Sequence, residues 1–405
     1  MAQIGFGTYR VTDLDPEHVE ALRVAFDTGI TLVDTSTNYM AGGAERAIAK
    51  AMFDLPDDKK DAIKIVSKFG YIQNTLIEYV KKKEFKEVVE FAEHIHHCIH
   101  PDFMRDQLFD TLQRLDTKKI ECYLLHNPEY YLLDALNKGI KRSSALDEMY
   151  RRLYEVFIAL EEEVQKGTME SYGISSNSFS LSPSNLEFLP YEDLLSIASK
   201  AAQKVGNSKH NFTTIQLPIN VLELEGLKCA QWAHENKIRV MANRALNAMQ
   251  DKLMFRLAEY SQGNEYYNYL NELLEITDNE TLKSIHNLLN QLDEVKHKFG
   301  FIDEYEAFFH KNILPHIRSV IEKLENEEQL ALSQLLELFF KEYKKMVMHE
   351  TGINTRTSLK NIFAHGDKTM QRTALEFVSN EKTVDVLLVG MRKVSYVNEI
   401  NSIFS

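Results

Sequence analysis

Cysteine is scarce: Cys98, Cys122 and Cys229 are the only three in 405 residues. An odd count without regular spacing excludes a disulfide framework and reads as reduced thiols, hence a cytoplasmic setting. Basic residues are in deficit, 47 against 60 acidic ones, for a formal net charge of −13. A chain that grips a phosphate backbone needs a concentrated cationic surface, so no nucleic-acid partner is expected. The densest basic run, Lys81-Lys82-Lys83, reads as a solvated helix face. No apolar run approaches the ~20 residues of a membrane span, and the N-terminus lacks the basic-then-apolar pattern of a signal peptide, so no membrane role is expected. With 8 prolines and 16 glycines there is no Pro/Gly-rich linker, no low-complexity tract and no repeat of fixed period.

What is present is ample core material: 44% hydrophobic and 26% charged residues, ordinary for a globular chain. Short apolar segments alternate with helical ones, the rhythm of a parallel sheet. Strands are predicted at Gln3–Thr8, Thr31–Asp34, Ile63–Ser67, Glu121–Leu125, Ser171–Ile174, Thr213–Leu217, Arg239–Ala242 and Asp385–Val389. Eight strands, each followed by a helix, point to an α/β fold: a closed (β/α)8 TIM barrel, with an open doubly wound sheet as the other arrangement composition allows.

Two segments break the rhythm. Tyr71–His100 is longer than a simple connection. Ala248–Phe363 is far longer than any structureless loop and carries helical stripes. Leu282, Ile285, Leu289 and Leu292 form one. Phe309, Ile313, Ile317, Val320, Ile321 and Leu324 form a second, and Leu332, Leu335, Leu336, Phe339, Phe340 and Tyr343 a third. Residues 248–363 therefore read as an inserted helical subdomain between the seventh and eighth strands, the barrel comprising 1–247 and 364–405. The stripes are expected to pack against one another; the other use for them is docking of a protein partner.

Polar residues interrupt the apolar strands at their C-terminal ends: Asp34 after Thr31-Leu32-Val33, Lys68 after Ile63–Val66, and His126 after Cys122–Leu125, with Tyr39 five residues beyond Asp34. In a parallel barrel these ends meet at the face that holds the active site. The set suits proton transfer. A free phenol, with a pKa of ~10, is a poor acid near neutrality, and an adjacent Lys68 ammonium is expected to lower that value. Asp34 is placed to pair with Lys68, and His126 to orient a substrate carbonyl. Tyr39 would then be the general acid in reduction and the general base in oxidation. Singly, each residue has a structural explanation; four at three consecutive strand ends do not share one.

These motifs resemble the aldo-keto reductases. Asp34-Thr35-Ser36-Thr37-Asn38-Tyr39 is similar to that family's segment with the catalytic Asp and Tyr, Ser67-Lys68 to its catalytic Lys, and Leu124-Leu125-His126-Asn127-Pro128-Glu129 to its catalytic His strand. The 29-residue step from Tyr39 to Lys68 fits the family; the 58-residue step from Lys68 to His126 is longer, and the Tyr71–His100 segment accounts for it. Gly5-Phe6-Gly7-Thr8-Tyr9 resembles the family's first strand. The resemblance implies hydride exchange between a nicotinamide cofactor and a small carbonyl or alcohol substrate, with no need for a Rossmann glycine loop. It further implies that Ser175, Ser176, Asn177 and Gln216 hold the carboxamide. Gly390, Met391 and Arg392, in the turn after the last strand, would take the adenosine phosphate end. Arg244 is a candidate for the pyrophosphate. Arg392 and Lys393 are placed to meet a 2′-phosphate, so NADP(H) is expected in preference to NAD(H).

Some positions depart from the family. Asn243 stands where an aromatic ring commonly stacks on nicotinamide, and Gly390, Tyr396 and Ile400 stand where residues that read NADP and adenine are common. These departures keep a non-catalytic cofactor-binding sensor or partner subunit in play, and a lyase using Lys68 as a Schiff base is a third reading. His94, His96, His97, Cys98 and His100 cluster in sequence, but no second ligand group with standard zinc spacing follows, so no metal is expected; entering the helix before the His126 strand, the segment is a candidate to line the substrate pocket instead.

Overall fold

The computed structural model describes residues 1–250, 253–300, 302–364 and 366–404. The chain divides into two compact units, Met1–Ala245 with Glu376–Ser405, and Leu246–Leu375. Their strands, in chain order, begin with β1 (Gln3–Gly7), β2 (Leu32–Asp34), β3 (Lys64–Phe69), β4 (Tyr71–Ile72), β5 (Val89–Ala92), β6 (Ile95–His97) and β7 (Ile120–His126). There follow β8 (Met169–Ser175), β9 (Phe212–Pro218), β10 (Arg239–Asn243), β11 (Asn247–Gln250), β12 (Leu253–Arg256) and β13 (Val386–Gly390).

Eight of these close the barrel of the first unit in the order β1-β13-β10-β9-β8-β7-β3-β2, with parallel pairing that runs from Gly5 opposite Leu32 to Gly7 opposite Gly390. They are the eight strands expected from the sequence, so the open doubly wound sheet is excluded. The alternation of side chains along a strand then decides what the interior holds. Leu32, Val66, Cys122, Leu124, Met241, Val386 and Leu388 form one buried cluster. Two residues further along the same strands, on the same face, come Asp34, Lys68, His126, Asn243 and Gly390. The barrel is thus filled with hydrocarbon below and capped by polar groups at the C-terminal ends.

The Tyr71–His100 connection is not a loop. It folds as a three-stranded antiparallel sheet in the order β4-β6-β5 around the helix Thr75–Lys83. Its strands are two to four residues long, too short to show a period of two.

The second unit opens with an antiparallel pair, β11 with β12, Ala248 facing Phe255, where the sequence reading had helix alone. Helices follow at Tyr266–Ile276, Lys283–Val295, Ile302–Phe308, Leu314–Ile321 and Asn326–Leu359. The apolar stripes close on one another: Ile285, Leu289 and Leu292 share a core with Ile313, Ile317, Val320, Leu332, Leu336, Phe339 and Tyr343. The second stripe is not one regular helix. Phe309–Ile313 is a π-helical turn that runs directly into Leu314-Pro315. Pro315 lacks an N–H and its ring would crowd the carbonyl four residues back, so the helix widens just before it.

At Gly173 of β8 a Cβ would lie 1.8 Å from Thr214 O of the neighbouring strand. Main chain cannot retreat there without breaking the pairing of β8 with β9. Gly173→Ala is expected to cost about 3 kcal/mol of stability, read as a fall in the urea midpoint; a wild-type midpoint would contradict this packing.

Candidate active site

The C-terminal ends of β2, β3, β7, β8 and β9 bring Asp34, Lys68, His126, Ser175 and Gln216 to one face. Lys68 is fully buried, and its ammonium has three acceptors. Its Nζ donates to Asp34 Oδ2 at 2.7 Å, to Thr35 O at 2.9 Å and to Tyr39 Oη at 3.3 Å. It also lies 4.9 Å from the Tyr39 ring centroid. A buried ammonium survives only when so paired. The other Asp34 oxygen accepts from Gln216 Nε2 at 2.7 Å, and Gln216 Oε1 accepts from Ser175 Oγ and Asn243 Nδ2, both at 3.1 Å. One hydrogen-bonded line therefore joins Asn243 and Ser175 to Tyr39.

Tyr39 reaches this line through an unusual turn. It is followed by Met40 and Ala41 at φ 49° and 52°, then Gly42 at φ 80°. Consecutive left-handed L-residues are costly. They throw the chain back so that the phenol lies over Lys68 and the helix Gly43–Met52 starts at once.

Electrostatics corrects one expectation. The Tyr39 phenol is raised, not lowered, despite the Lys68 ammonium beside it. Loss of solvent around the hydroxyl, and then the Asp34 carboxylate, push it well above 10. Asp34 neutralises the ammonium, so the phenol meets a pair with no net charge. Burial likewise raises Asp34 against the pull of Lys68 and lowers Lys68 against that of Asp34. The His126 imidazole is driven well below 6.5, first by burial and then by Lys68. At neutral pH the cluster holds a protonated phenol and a neutral imidazole.

His126 is fixed from three sides. Its Nδ1 is 3.1 Å from Ser36 Oγ, its carbonyl oxygen accepts from His97 Nε2 at 2.7 Å, and the Tyr71 ring meets it edge-on at 4.7 Å. The Tyr39 ring lies 5.9 Å away. Tyr71 and His97 come from the small inserted sheet, and Tyr9 leans on Tyr39 edge-on at 5.3 Å. Sequence reasoning missed Ser36 and Tyr71, and had His97 only as part of a segment near the pocket; the one hint for Tyr71 was a polar-aromatic segment directly after β3.

The remaining predicted residues spread around the same mouth. Ser175 and Ser176 are buried and Asn177 is exposed. Gly390 ends β13 opposite Gly7, Met391 is buried, and Arg392 stands two residues before the helix Val394–Phe404. Arg392 has no ion-pair partner among the described residues; its charge, after burial, opposes protonation of His18. Arg244 has φ 57° and puts one nitrogen 2.7 and 2.8 Å from the two Glu223 oxygens, so an anion would have to compete with Glu223 for it.

The His94–His100 residues disperse. His100 caps the helix Pro101–Leu115, Cys98 Sγ donates to Lys86 O, and His97 serves His126. Among the described residues no three His, Cys, Asp or Glu side chains gather as metal ligands. No described helix is long and apolar enough to cross a membrane.

Asp34 and Lys68 are expected to be interdependent. Lys68→Met strands a buried carboxylate and should cost about 3 kcal/mol at pH 8. The raised Asp34 carboxyl takes up a proton as pH falls, which relieves the loss, so the deficit against wild type should shrink at pH 5. Urea unfolding at the two pH values measures it, and an equal deficit at both would deny the pairing.

The sequence model of the aldo/keto reductase family matches residues 3–250. The chain is 27% identical over 137 residues to the aldo-keto reductase YhdN of Bacillus subtilis, covering 32% of this chain and 35% of that protein. It is 28% identical over 133 residues to probable aldo-keto reductase 1 of Glycine max, covering 31% and 33%. The chain thus spans about a third of the length of the curated relatives it matches. Among solved structures, the holo form of aldo-keto reductase AKR11C1 from Bacillus halodurans aligns with a TM-score of 0.48 at 15% identity, over 100% of this chain and 86% of that one. A Klebsiella pneumoniae aldo/keto reductase in complex with NADP and acetate aligns at 0.38 and 22%, over 60% and 64%.

Proposed function

Because this chain belongs to the aldo/keto reductase family, we propose that it is an NADP(H)-dependent oxidoreductase that reduces aldehydes or ketones to alcohols, or runs the reverse, with Tyr39 as general acid and base. The observation that supports this reading best is the cluster itself. Tyr39, Lys68 and Asp34 stand in hydrogen-bonding sequence at 3.3 and 2.7 Å, beside His126, on the barrel face where such chemistry belongs.

The residues fit a nicotinamide cofactor. Asn243 Oδ1 is buried with no hydrogen-bond partner, next to the Gln216 amide, and a carboxamide NH2 would satisfy it. Ser175, Ser176, Asn177 and Gln216 complete that end. Gly390, Met391 and Arg392 lead into a helix N-terminus, which suits phosphate. Arg392 with Lys393 is the charge that favours NADP(H) over NAD(H). A bound nicotinamide supplies or takes up the hydride.

The protein's own part is proton management. Tyr39, held protonated, gives its proton to the oxygen of a carbonyl being reduced. Lys68 then stabilises the phenolate left behind, and Asp34 keeps the ammonium in place. His126, neutral and clamped, borders the reacting oxygen and orients it. The chemistry is assigned to the barrel unit and an accessory role to Leu246–Leu375, which extends twelve residues further toward the C-terminus than the subdomain 248–363 expected from the sequence, in a cytoplasmic protein whose three thiols are free and buried. The lyase reading fits the geometry less well, because all three Lys68 N–H groups are engaged and the side chain is fully buried. The sensor reading is favoured by the engagement of Arg244 with Glu223.

NADPH consumption against a panel of aldehydes and ketones tests the proposal. Tyr39→Phe should lower turnover about 10²- to 10⁴-fold with NADPH binding retained, whereas turnover that survives would remove Tyr39 from the mechanism. NADPH binding without turnover in wild type would select the sensor. With the phenol held above 10 and the imidazole below 6.5, kcat for reduction should be flat from pH 6 to 9; a kcat falling through neutrality as pH rises would place the acid elsewhere. Arg392→Ala should weaken NADPH about tenfold and leave NADH unchanged; equal losses for both would deny the 2′-phosphate contact.

A further inference from the structure

Glu129 is a buried carboxylate that the chemistry above does not use. It ends the Leu124–Glu129 segment, three residues beyond His126, and is 5% exposed. Its Oε1 accepts from the backbone N–H of Asn177 at 3.0 Å and of Ser178 at 3.3 Å. Oε2, fully enclosed, has no hydrogen-bond partner. Asn127, two residues earlier, takes a left-handed φ of 51°. That turn aims its side chain in two directions at once: Oδ1 accepts from the same Asn177 N–H at 3.3 Å, and Nδ2 donates to Tyr71 Oη at 2.6 Å. The Asn127 N–H also donates to Ser175 O at 2.7 Å.

The segment after His126 therefore grips the turn after β8 at Ser175 O, Asn177 N and Ser178 N. That turn presents buried Ser175 and Ser176 and exposed Asn177. A neutral acceptor would suffice to anchor it. A buried carboxylate with one idle oxygen is an expensive choice, and expensive choices at a barrel mouth point to the site.

We propose that Glu129, assisted by Asn127, is the positioning residue that sets the Ser175–Ser178 turn for cofactor binding, joining the His126 strand end to the carboxamide end of the nicotinamide. The inference rests on the assignment of Ser175, Ser176 and Asn177 to the cofactor made above.

Charge strengthens the grip, since a carboxylate accepts amide N–H bonds more strongly than a neutral carboxyl. Burial raises Glu129 to about 7, while its own backbone N–H and the amides of Ser178 and Asn177 oppose the rise. Among the described residues, the titratable groups facing it are Tyr71 and Tyr130, both raised phenols that stay neutral. Glu129 is accordingly ionised above neutrality and protonated below it, so the turn is held more firmly at pH 8 than at pH 6.

The test measures the NADPH dissociation constant by fluorescence quenching at pH 6 and pH 8. It adds amide hydrogen exchange at residues 175–178, for wild type, Glu129→Gln and Glu129→Ala. Thermal melting confirms that each variant is folded, and Glu129→Gln serves if Glu129→Ala does not fold. Glu129→Ala should weaken NADPH about tenfold and speed exchange at Asn177 and Ser178. Wild type should lose affinity from pH 8 to pH 6, beyond any loss in Glu129→Gln, which keeps an acceptor but cannot ionise. Faster exchange with unchanged NADPH affinity would overturn the proposal and leave Glu129 a loop anchor. Unchanged exchange would overturn it as well. Failure of wild type to bind NADPH at all would instead remove the cofactor reading on which it stands.

Discussion

The buried ion pair of Lys68 and Asp34 is the constraint to which the barrel mouth is fitted. Neither ion could be buried alone, because an uncompensated charge in hydrocarbon costs several kcal/mol. Their mutual 2.7 Å contact fixes both side chains. What remains of each ion's hydrogen-bonding capacity then determines its neighbours: Thr35 O and Tyr39 on the ammonium, Gln216 on the carboxylate. Ser175 and Asn243 follow, because Gln216 must satisfy its own carbonyl oxygen. The site is thus a sequence of obligations that begins with one pair and ends at the rim.

That pair also accounts for the state of the phenol. A lone ammonium would make Tyr39 a stronger acid. A neutralised one, in a place that water has left, keeps the proton on oxygen. On the proposed mechanism, stabilisation by Lys68 acts as the phenolate forms, which is where it would lower a barrier.

Much of this could be read from the sequence for a simple reason. Buried parallel strands are short apolar runs, and Asp34, Lys68 and His126 are conspicuous because each ends such a run. The helical stripes of residues 282–343 were legible for the same reason, since a period near 3.6 survives in the letters. The rest was set by contacts between distant residues or by backbone geometry with no letter of its own. Gln216 meets Asp34 across 182 residues. Met40 and Ala41 turn left-handed without a glycine at either position. The short strands β4, β5 and β6 have no room for a pattern, so Tyr71 and His97 could not be placed beside His126. Glu129 looked like an ordinary loop acid until burial was known, and the direction of the Tyr39 shift depends on burial too.

The bond from Gln216 to Asp34 has a geometric meaning beyond its chemistry. In the closed order of strands, β9 and β2 stand opposite one another, with three strands between them by either route. Their 2.7 Å link is a strut across the mouth of the cylinder, above the hydrocarbon that fills it. A substrate of the proposed reaction would rest above this strut. The floor of the pocket is then common to every possible guest, and its walls are left to the surrounding loops and the small inserted sheet. Those walls can be rebuilt in size and polarity without touching the strut, so selectivity can change while the acid and its supports stay as they are.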